Sequence, residues 1–582
     1  MKQLLYAALV VALCGTAAAK PPPKKHNKQR LKVSEAARDP KKLGASARVS
    51  FAHDGKLQLA RDLDLVAKYP KLRAEPLTAE EETATNIQKL LRSPLLRRGV
   101  TAIHVADART GTPLFSVNAE EELNPASNVK LISTATALEL LGPDFRYPTR
   151  ILGPEPVGGV VKGDIYLLGS YDPTLSISDF ENIAMTMQMR GITSIEGSIV
   201  VGADPTRDGV YRAIIPVGIT AGEPGAPPTV TLPPNFDLVQ VTVTATTHKK
   251  SIRNRLSYKA DVIKTETGLP RITLTIGGTI GKDRHVEYPL WTRQRTATAA
   301  YSLIAALRAR AINITGEMKV MELGDYVGES VGNGALPVEL GRHESEPASE
   351  IAARVNKWSV NWLADRLVMT AAGLSRRAPP SMALALDAMY MWLERSAKLP
   401  KDKLVIDTGS GLSYRTQIRS QDMVSIVRSA GGFGTDAPPD VAKAWLHSLA
   451  IAGTDGTLQH RFRSPDVRGR IVGKTGTLRN VIALAGILDF DPARPLAFSI
   501  VTNTNQPLQK RQTRQAHAQV IAEVCRYLQR TSIVVPVTPP PIATPSATPS
   551  PVSEGEEIDE SGESSPESDP EKALDTETAN QQ

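Results

Sequence analysis

Ser127 and Lys130 stand three residues apart in Asn124-Pro125-Ala126-Ser127-Asn128-Val129-Lys130-Leu131, the one Ser-x-x-Lys of the chain. A serine hydroxyl is a weak nucleophile until a neighbouring base takes its proton. Lysine becomes such a base once burial or a second cation disfavours its ammonium. On a helix, positions i and i+3 share a face, so the amine can reach the hydroxyl. Two further polar clusters follow, Ser359-Val360-Asn361 and Lys474-Thr475-Gly476-Thr477, in the order that serine acyl-transfer chemistry requires.

These residues need elements to hold them. Pro125 suits a first helical turn, Val129 to Leu141 is apolar almost all round, and Gly142-Pro143 stops the run. A helix apolar on every side is buried, which would lower the pKa of Lys130 and set Ser127 at the positive end, with backbone N–H groups facing a developing oxyanion. Taken singly the motifs are weak, since Ser116-Val117-Asn118 repeats the letters of Ser359-Val360-Asn361 on a strand leading into a turn. Context separates them: Ser359 sits between two helical runs, Ala348 to Lys357 and Trp362 to Ala372, where a short break can aim polar side chains into one cleft. Lys474-Thr475-Gly476 opens a strand-like run, Asn480 to Phe490, ahead of Leu496 to Val501, and reads as the edge of an antiparallel sheet beside that cleft.

With these motifs the chain resembles the D-alanyl-D-alanine carboxypeptidase/endopeptidases of the penicillin-binding protein 4 type, over roughly residues 95–530. About 230 residues separate the first two motifs and about 115 the last two; the long first gap implies domains inserted into the catalytic domain. Asp172-Pro173-Thr174-Leu175, Gly409-Ser410-Gly411-Leu412-Ser413 and Asp455-Gly456-Thr457-Leu458 also look like family signatures. The resemblance implies Ser127 as the acylated nucleophile, Lys130 as its base, Ser359 as a proton relay to the leaving amine and Asn361 as a binder of the substrate amide. Lys474 would hold the relay and the substrate's terminal carboxylate, with Thr475, Gly476 and Thr477 completing the substrate site. The backbone N–H groups of Ser127 and Thr477 would form the oxyanion hole.

The same resemblance implies peptidoglycan stem peptides as substrates, β-lactams as covalent inhibitors, and neither metal nor cofactor. The sequence departs from the family pattern at Val360 and Thr408, each where Asp is usual, and at Gly169-Ser170-Tyr171-Asp172-Pro173 in place of Gly-Gly-Gly-Asp-Pro. None of these removes a chemical group that the mechanism needs, although substrate preference could shift.

Residues 1–19 read as a secretory signal, with Lys2, an apolar core from Leu4 to Leu13 and Ala17-Ala18-Ala19 before the cleavage site. A lipoprotein reading through Cys14 is disfavoured by Leu13, where a small residue is needed. Cleavage would leave Cys525 alone, so the exported fold must rest on its core rather than on disulfides. An exported enzyme of the periplasm or cell envelope is therefore expected.

The expected fold class is α+β: a penicillin-recognising, transpeptidase-like catalytic domain of helices around an antiparallel sheet, formed by residues 90–150 and 345–535. Residues 151–344, with alternating runs such as Val239 to Thr244 and Arg271 to Ile276, read as β-rich inserted domains. Residues 20–85 form a basic extension, and 536–582 a disordered Pro/Ser/Thr-rich acidic tail. From Ser553 onward the charge is about −10, so the rest carries about +18 of the net +8. A basic body suits an acidic cell-wall polymer or an anionic membrane surface, and an exported chain with no nucleic-acid module argues against nucleic acid. Oligomeric state is left open.

Two function classes remain at this point. One is an active hydrolase that removes the terminal D-alanine, or cuts D-alanyl crosslinks, through an acyl-Ser127 intermediate; a β-lactamase differs only in how fast water clears the penicilloyl group. The other is a wall-binding scaffold with weak or no hydrolysis, which has no reason to keep Lys130, Ser359 and Lys474 in order.

Overall fold

The eight residues Val481–Leu488 are all buried, so this strand has no polar face and needs cover on both sides. In the computed structural model they form the middle of a six-stranded antiparallel sheet. The structure describes residues 51–53, 56–58 and 78–531, apart from 94–95, 98, 203–214, 234–238, 253, 265–269, 291–294, 322–336, 435, 466 and 489–493. The expected secretory signal, most of the basic extension and the acidic tail lie outside the described residues.

The strands of that sheet are β1 (Val100–Asp107), β2 (Pro113–Val117), β3 (Ala450–Ile451), β4 (Ile471–Leu478), β5 (Val481–Leu488) and β6 (Leu496–Asn503), in the spatial order β3-β4-β5-β6-β1-β2. The helices around it are α1 (Ala79–Leu91), α2 (Lys130–Leu141), α3 (Ala348–Lys357), α4 (Asn361–Arg376), α5 (Met382–Arg395), α6 (Ser420–Ala430), α7 (Pro439–His447) and α8 (Lys510–Thr531). Helices α2 to α7 share one apolar cluster with the inner sheet face, through residues such as Leu131, Ile132, Val355, Leu367, Met389, Val427, Trp445 and Ile487. The outer face packs Phe115, Leu484 and Ile500 under Ala84 and Ile87 of α1 and Val520, Ile521 and Val524 of α8.

Helix α2 is the centre of the inner layer. Leu131, Ile132 and Leu138 are fully buried, each contributing about 1.5–3 kcal/mol by leaving water. The expected basic extension to residue 85 needs correcting here: α1 begins at Ala79, capped reciprocally by Thr78 and Glu81, and belongs to the catalytic body. Among the described residues no helix is long and apolar enough to cross a membrane.

Between α2 and α3 the chain leaves this body through strand Pro148–Gly153 and returns through strand Val338–Glu344, and the two pair antiparallel. They border a five-stranded sheet with strands Ile165–Leu168, Ile199–Gly202 and Met318–Met321, the last two joined in parallel. Beyond it, Val239–Val243 and Arg255–Lys264 flank Pro270–Ile280 in a separate sheet. The inserted region is less purely β than its alternating runs suggest. Helices Ile177–Met189 and Arg295–Ala309 pack Phe180, Ile183, Leu303 and Leu307 into the core of the five-stranded sheet.

Candidate active site

Ser127 lies in a short 3-10 turn, Ala126–Val129, and the α-helix begins only at Lys130. The expected α-helical start at Ser127 is thus replaced by a tighter turn, because Ala126 has a φ of 49°, outside helical space. The change sharpens the pairing, since residues three apart eclipse in a 3-10 turn. Lys130 Nζ is 3.1 Å from Ser127 Oγ. Gly411 closes over this turn with a φ of 78°, where an added Cβ would stand 2.1 Å from the Ala126 carbonyl oxygen.

Lys130 is fully buried, and its other neighbours are acceptors: Asn361 Oδ1 at 2.6 Å and the Ser410 carbonyl at 2.7 Å. Asn361 and Ser410 thereby fix the position of the amine, with Nζ held within reach of the Ser127 hydroxyl. Asn361 begins α4, directly after the break between α3 and α4, where Ser359 takes a left-handed φ of 59°. That turn brings Ser359 Oγ within 2.8 Å of Lys474 Nζ.

Lys474 lies inside β4, not at the opening of the next strand as its sequence context suggests. Its side of β4 is an edge, because β3 covers only Val472 and Gly473. Lys474 also donates to the carbonyl of Thr475 at 2.8 Å. Burial, followed by the charge of Lys130, holds its ammonium well below the usual lysine range. Gly476 completes the enclosure: an added Cβ would meet the Pro125 carbonyl oxygen at 2.5 Å, so β4 lies directly against the Ser127 turn. The three motifs thus touch pairwise, Lys130 with Asn361, Ser359 with Lys474, and Gly476 with Pro125.

The remaining predicted residues line the same strand. Thr475 Oγ1 is 3.0 Å from Thr457 Oγ1, and Thr477 Oγ1 accepts from Arg514 at 3.2 Å. The look-alike tripeptide stays out of the site: Ser116 bonds His104 on the neighbouring strand, and Asn118 donates to the Thr101 carbonyl. Asp407 and Thr408 serve their own turn, accepting from Ser413 Oγ at 2.6 Å and the Gly411 N–H at 3.0 Å.

Comparison with known proteins places the chain in a family. Residues 83–205 and 202–524 match the D-Ala-D-Ala carboxypeptidase 3 (S13) family. This chain belongs to that family. A D-alanyl-D-alanine carboxypeptidase of Actinomadura sp. (strain R39) is 29% identical over 470 residues, spanning 72% of this chain and 81% of its own. Carboxypeptidase DacB of Mycolicibacterium smegmatis is 24% identical over 436 residues, 74% of this chain and 82% of its own. The crystal structure of penicillin binding protein 4 (dacB) from Haemophilus influenzae shares the fold, with a TM-score of 0.58 at 18% identity over 76% of this chain and 99% of that one. The S13 fold accounts for the α+β architecture, with its helices around an antiparallel sheet.

Sequence reasoning missed two contributors in this S13 member. Asp365, one helical turn after Asn361, accepts the Ser410 N–H at 2.7 Å; an acid beside the buried Leu363, Ala364 and Val368 was the available signal. Arg514 had none, because only the sheet order brings α8 beside β4.

Proposed function

We propose that Ser127 forms the acyl-enzyme of a serine-type D-Ala-D-Ala carboxypeptidase acting on peptidoglycan stem peptides. The observation behind it is the pairing of each reactive hydroxyl with a buried amine, Ser127 with Lys130 at 3.1 Å and Ser359 with Lys474 at 2.8 Å. Ser127 Oγ attacks the carbonyl of the penultimate D-alanine as Lys130 takes its proton. The tetrahedral oxyanion faces the Ser127 and Thr477 N–H groups. As the C–N bond breaks, Ser359 passes a proton to the departing D-alanine amine and is resupplied by Lys474, while Asn361 orients the substrate amide. Water then cleaves the ester and regenerates Ser127. A β-lactam presents its ring carbonyl to the same serine. A crosslinked stem peptide, whose leaving amine belongs to a neighbouring strand, fits the same steps, which makes DD-endopeptidase activity a second reaction of this site.

Location in the cell envelope follows from that substrate and from the signal-like residues 1–19. Intact-mass spectrometry after benzylpenicillin tests the reading. A long-lived adduct on Ser127 is expected, absent in Ser127→Ala, together with D-alanine release from a D-Ala-D-Ala peptide. Rapid turnover of the adduct would indicate a β-lactamase instead, and no adduct a scaffold. Ser127→Ala removes the hydrogen bond between Ser127 Oγ and Lys130 Nζ and should change stability by about 0.5–1.5 kcal/mol.

A further inference from the structure

The separate sheet of the inserted region has one apolar face and one polar face. Ile272, Leu274 and Ile276 of strand Pro270–Ile280 are fully buried, with Val241, Tyr258 and Ala260 of the flanking strands packed against them. Side chains alternate along a strand, so Thr273, Thr275 and Thr279 point the other way. The register sets Thr275 between Thr242 and Lys259, and Thr279 between Thr246 and Arg255. Thr242, Thr246, Arg255, Ser257 and Lys259 are all exposed. The result is a solvent-facing surface of hydroxyls, with basic groups along strand Arg255–Lys264.

One end of that surface is a basic tip. The loop that follows Thr247 and the turn that follows Ile280 are fastened together: the His248 N–H donates to the Ile280 carbonyl at 2.8 Å, the Lys282 N–H to the Lys250 carbonyl at 3.1 Å and the Gly281 N–H to Asn254 Oδ1 at 2.9 Å. These segments gather Lys249, Lys250, Arg255, Lys282 and Arg284, while Asp283 is the one acid of residues 248–255 and 281–285. Lys249, Lys250, Arg255 and Lys282 are exposed, and none of these cations forms an ion pair among the described residues. Like charges gathered on one tip repel one another and raise the local positive potential, which a polyanion relieves. Hydroxyls and cations side by side match a polymer that carries both sugar hydroxyls and carboxylates. A membrane surface would call for apolar side chains entering the headgroup layer beside the lysines. The exposed large apolar residues among the described ones, Val157, Met189 and Trp358 among them, lie outside this sheet and its tip.

We propose that the polar face and basic tip of this sheet form a docking surface for peptidoglycan, with the threonine hydroxyls against the sugar chain and the tip against the carboxylates of its stem peptides. The inference rests on the reading of peptidoglycan as substrate and gives the inserted region a part in it. The surface holds the enzyme on the polymer while Ser127 reacts, so it speeds reaction with intact wall and leaves a short free peptide unaffected.

The test uses the full chain as wild type, as the reversal Lys249→Glu/Lys250→Glu/Lys282→Glu, and as the milder Lys249→Gln/Lys250→Gln/Lys282→Gln, which keeps it decisive if the reversal folds poorly. Co-sedimentation with purified sacculi should show the reversal binding about tenfold more weakly at low salt, a difference that closes as added sodium chloride screens the charges. D-Alanine release from sacculi should fall with binding, while kcat/KM on diacetyl-Lys-D-Ala-D-Ala is unchanged. Amidating the sacculus carboxylates should bring wild type down to the level of the reversal. Equal sacculus binding by wild type and both variants would overturn the proposal. So would variants that keep sacculus binding but lose binding to vesicles of equal parts phosphatidylglycerol and phosphatidylcholine, which would assign the tip to membranes. A wild-type dimer in sedimentation velocity that the reversal dissociates, with sacculus binding intact, would assign it to a second copy and overturn the proposal as well. Penicillin labelling is followed in parallel: a protein that takes no penicilloyl group on Ser127 yet binds sacculi through the tip would overturn the nucleophile assignment and keep the docking surface.

Discussion

Asp365 Oδ1 accepts the backbone N–H of Ser410 at 2.7 Å, and the carbonyl of Ser410 accepts from Lys130 Nζ, also at 2.7 Å. Asp365 follows Asn361 by one turn of α4, so a single helix supplies both a direct contact to Lys130 and the anchor of the loop behind it. Burial raises the Asp365 carboxyl above its ordinary range, opposed by its hydrogen bonds to Ser410 and by the charge of Lys130.

Asp365→Ala should leave the buried Ser410 N–H unpaired, at about 1–3 kcal/mol of stability, and slow acylation by loosening the carbonyl that orients Lys130. Asp365→Asn keeps an acceptor oxygen and should melt closer to wild type. Thermal unfolding and penicillin acylation rates of the two variants check this; identical behaviour would show that the bond to Ser410 matters little.

Ser359 combines a reactive hydroxyl with a left-handed backbone. A residue with a Cβ there costs about 1–2 kcal/mol relative to glycine, so Ser359→Gly should melt above Ser359→Ala. Both lose the proposed proton relay and should slow peptide hydrolysis by about 10²–10⁴-fold. Steady-state kinetics on a D-Ala-D-Ala peptide, beside melting curves, would separate backbone strain from chemistry.

Asp172, in the loop after strand Ile165–Leu168, is almost fully buried, and burial pushes its carboxyl up to about 7 against the hydrogen bonds from Thr174. The folded state therefore binds this proton more tightly than the unfolded chain does. Its stabilising contribution is complete below about pH 4 and is lost as pH rises through about 7. Asp172→Asn should gain on wild type between about pH 5 and 8 by on the order of 2–4 kcal/mol. Denaturant unfolding at the two ends of that range measures it, and a constant difference would refute it.

His517 has the opposite sign. It is buried on α8 with Nε2 2.8 Å from Thr502 Oγ1; burial, then the charge of Arg461, lowers its pKa to about 3. Its contribution is present above about pH 6.5 and lost as pH falls toward 3. Wild type should weaken steadily through that window, and His517→Gln should show a shallower slope in acid denaturation.

The proposed reactive residues were legible because serine acyl transfer constrains both residue type and order, and because the helix that carries Lys130 is buried over most of its length. Other features depended on tertiary contacts. Lys474 and Gly476 weaken the β-propensity of Ile471–Leu478, yet an eight-residue ladder with β5 overrides it. The 3-10 turn at Ser127 follows from the left-handed Ala126 and the approach of Gly411, which lies 284 residues further along the chain. Helix Ile177–Met189 did announce itself, since Ser176 and Asp179 form a capping box, but its neighbours' alternating runs masked the signal. Arg514 reaches Thr477 only because α8 crosses the sheet.

The pairing of β1 with β6, from Val100 opposite Asn503 to Asp107 opposite Leu496, also sets a timetable for biogenesis. A ribosome makes the proposed nucleophile, Ser127, early and the strand that completes its supporting sheet late. The inserted region, closed by its own strand pair near residues 148 and 344, can assemble well before that. A nascent chain stalled ahead of Leu496 is expected to carry a folded insert and a serine that no penicillin labels, so that hydrolytic power arrives only with the final stretch of synthesis.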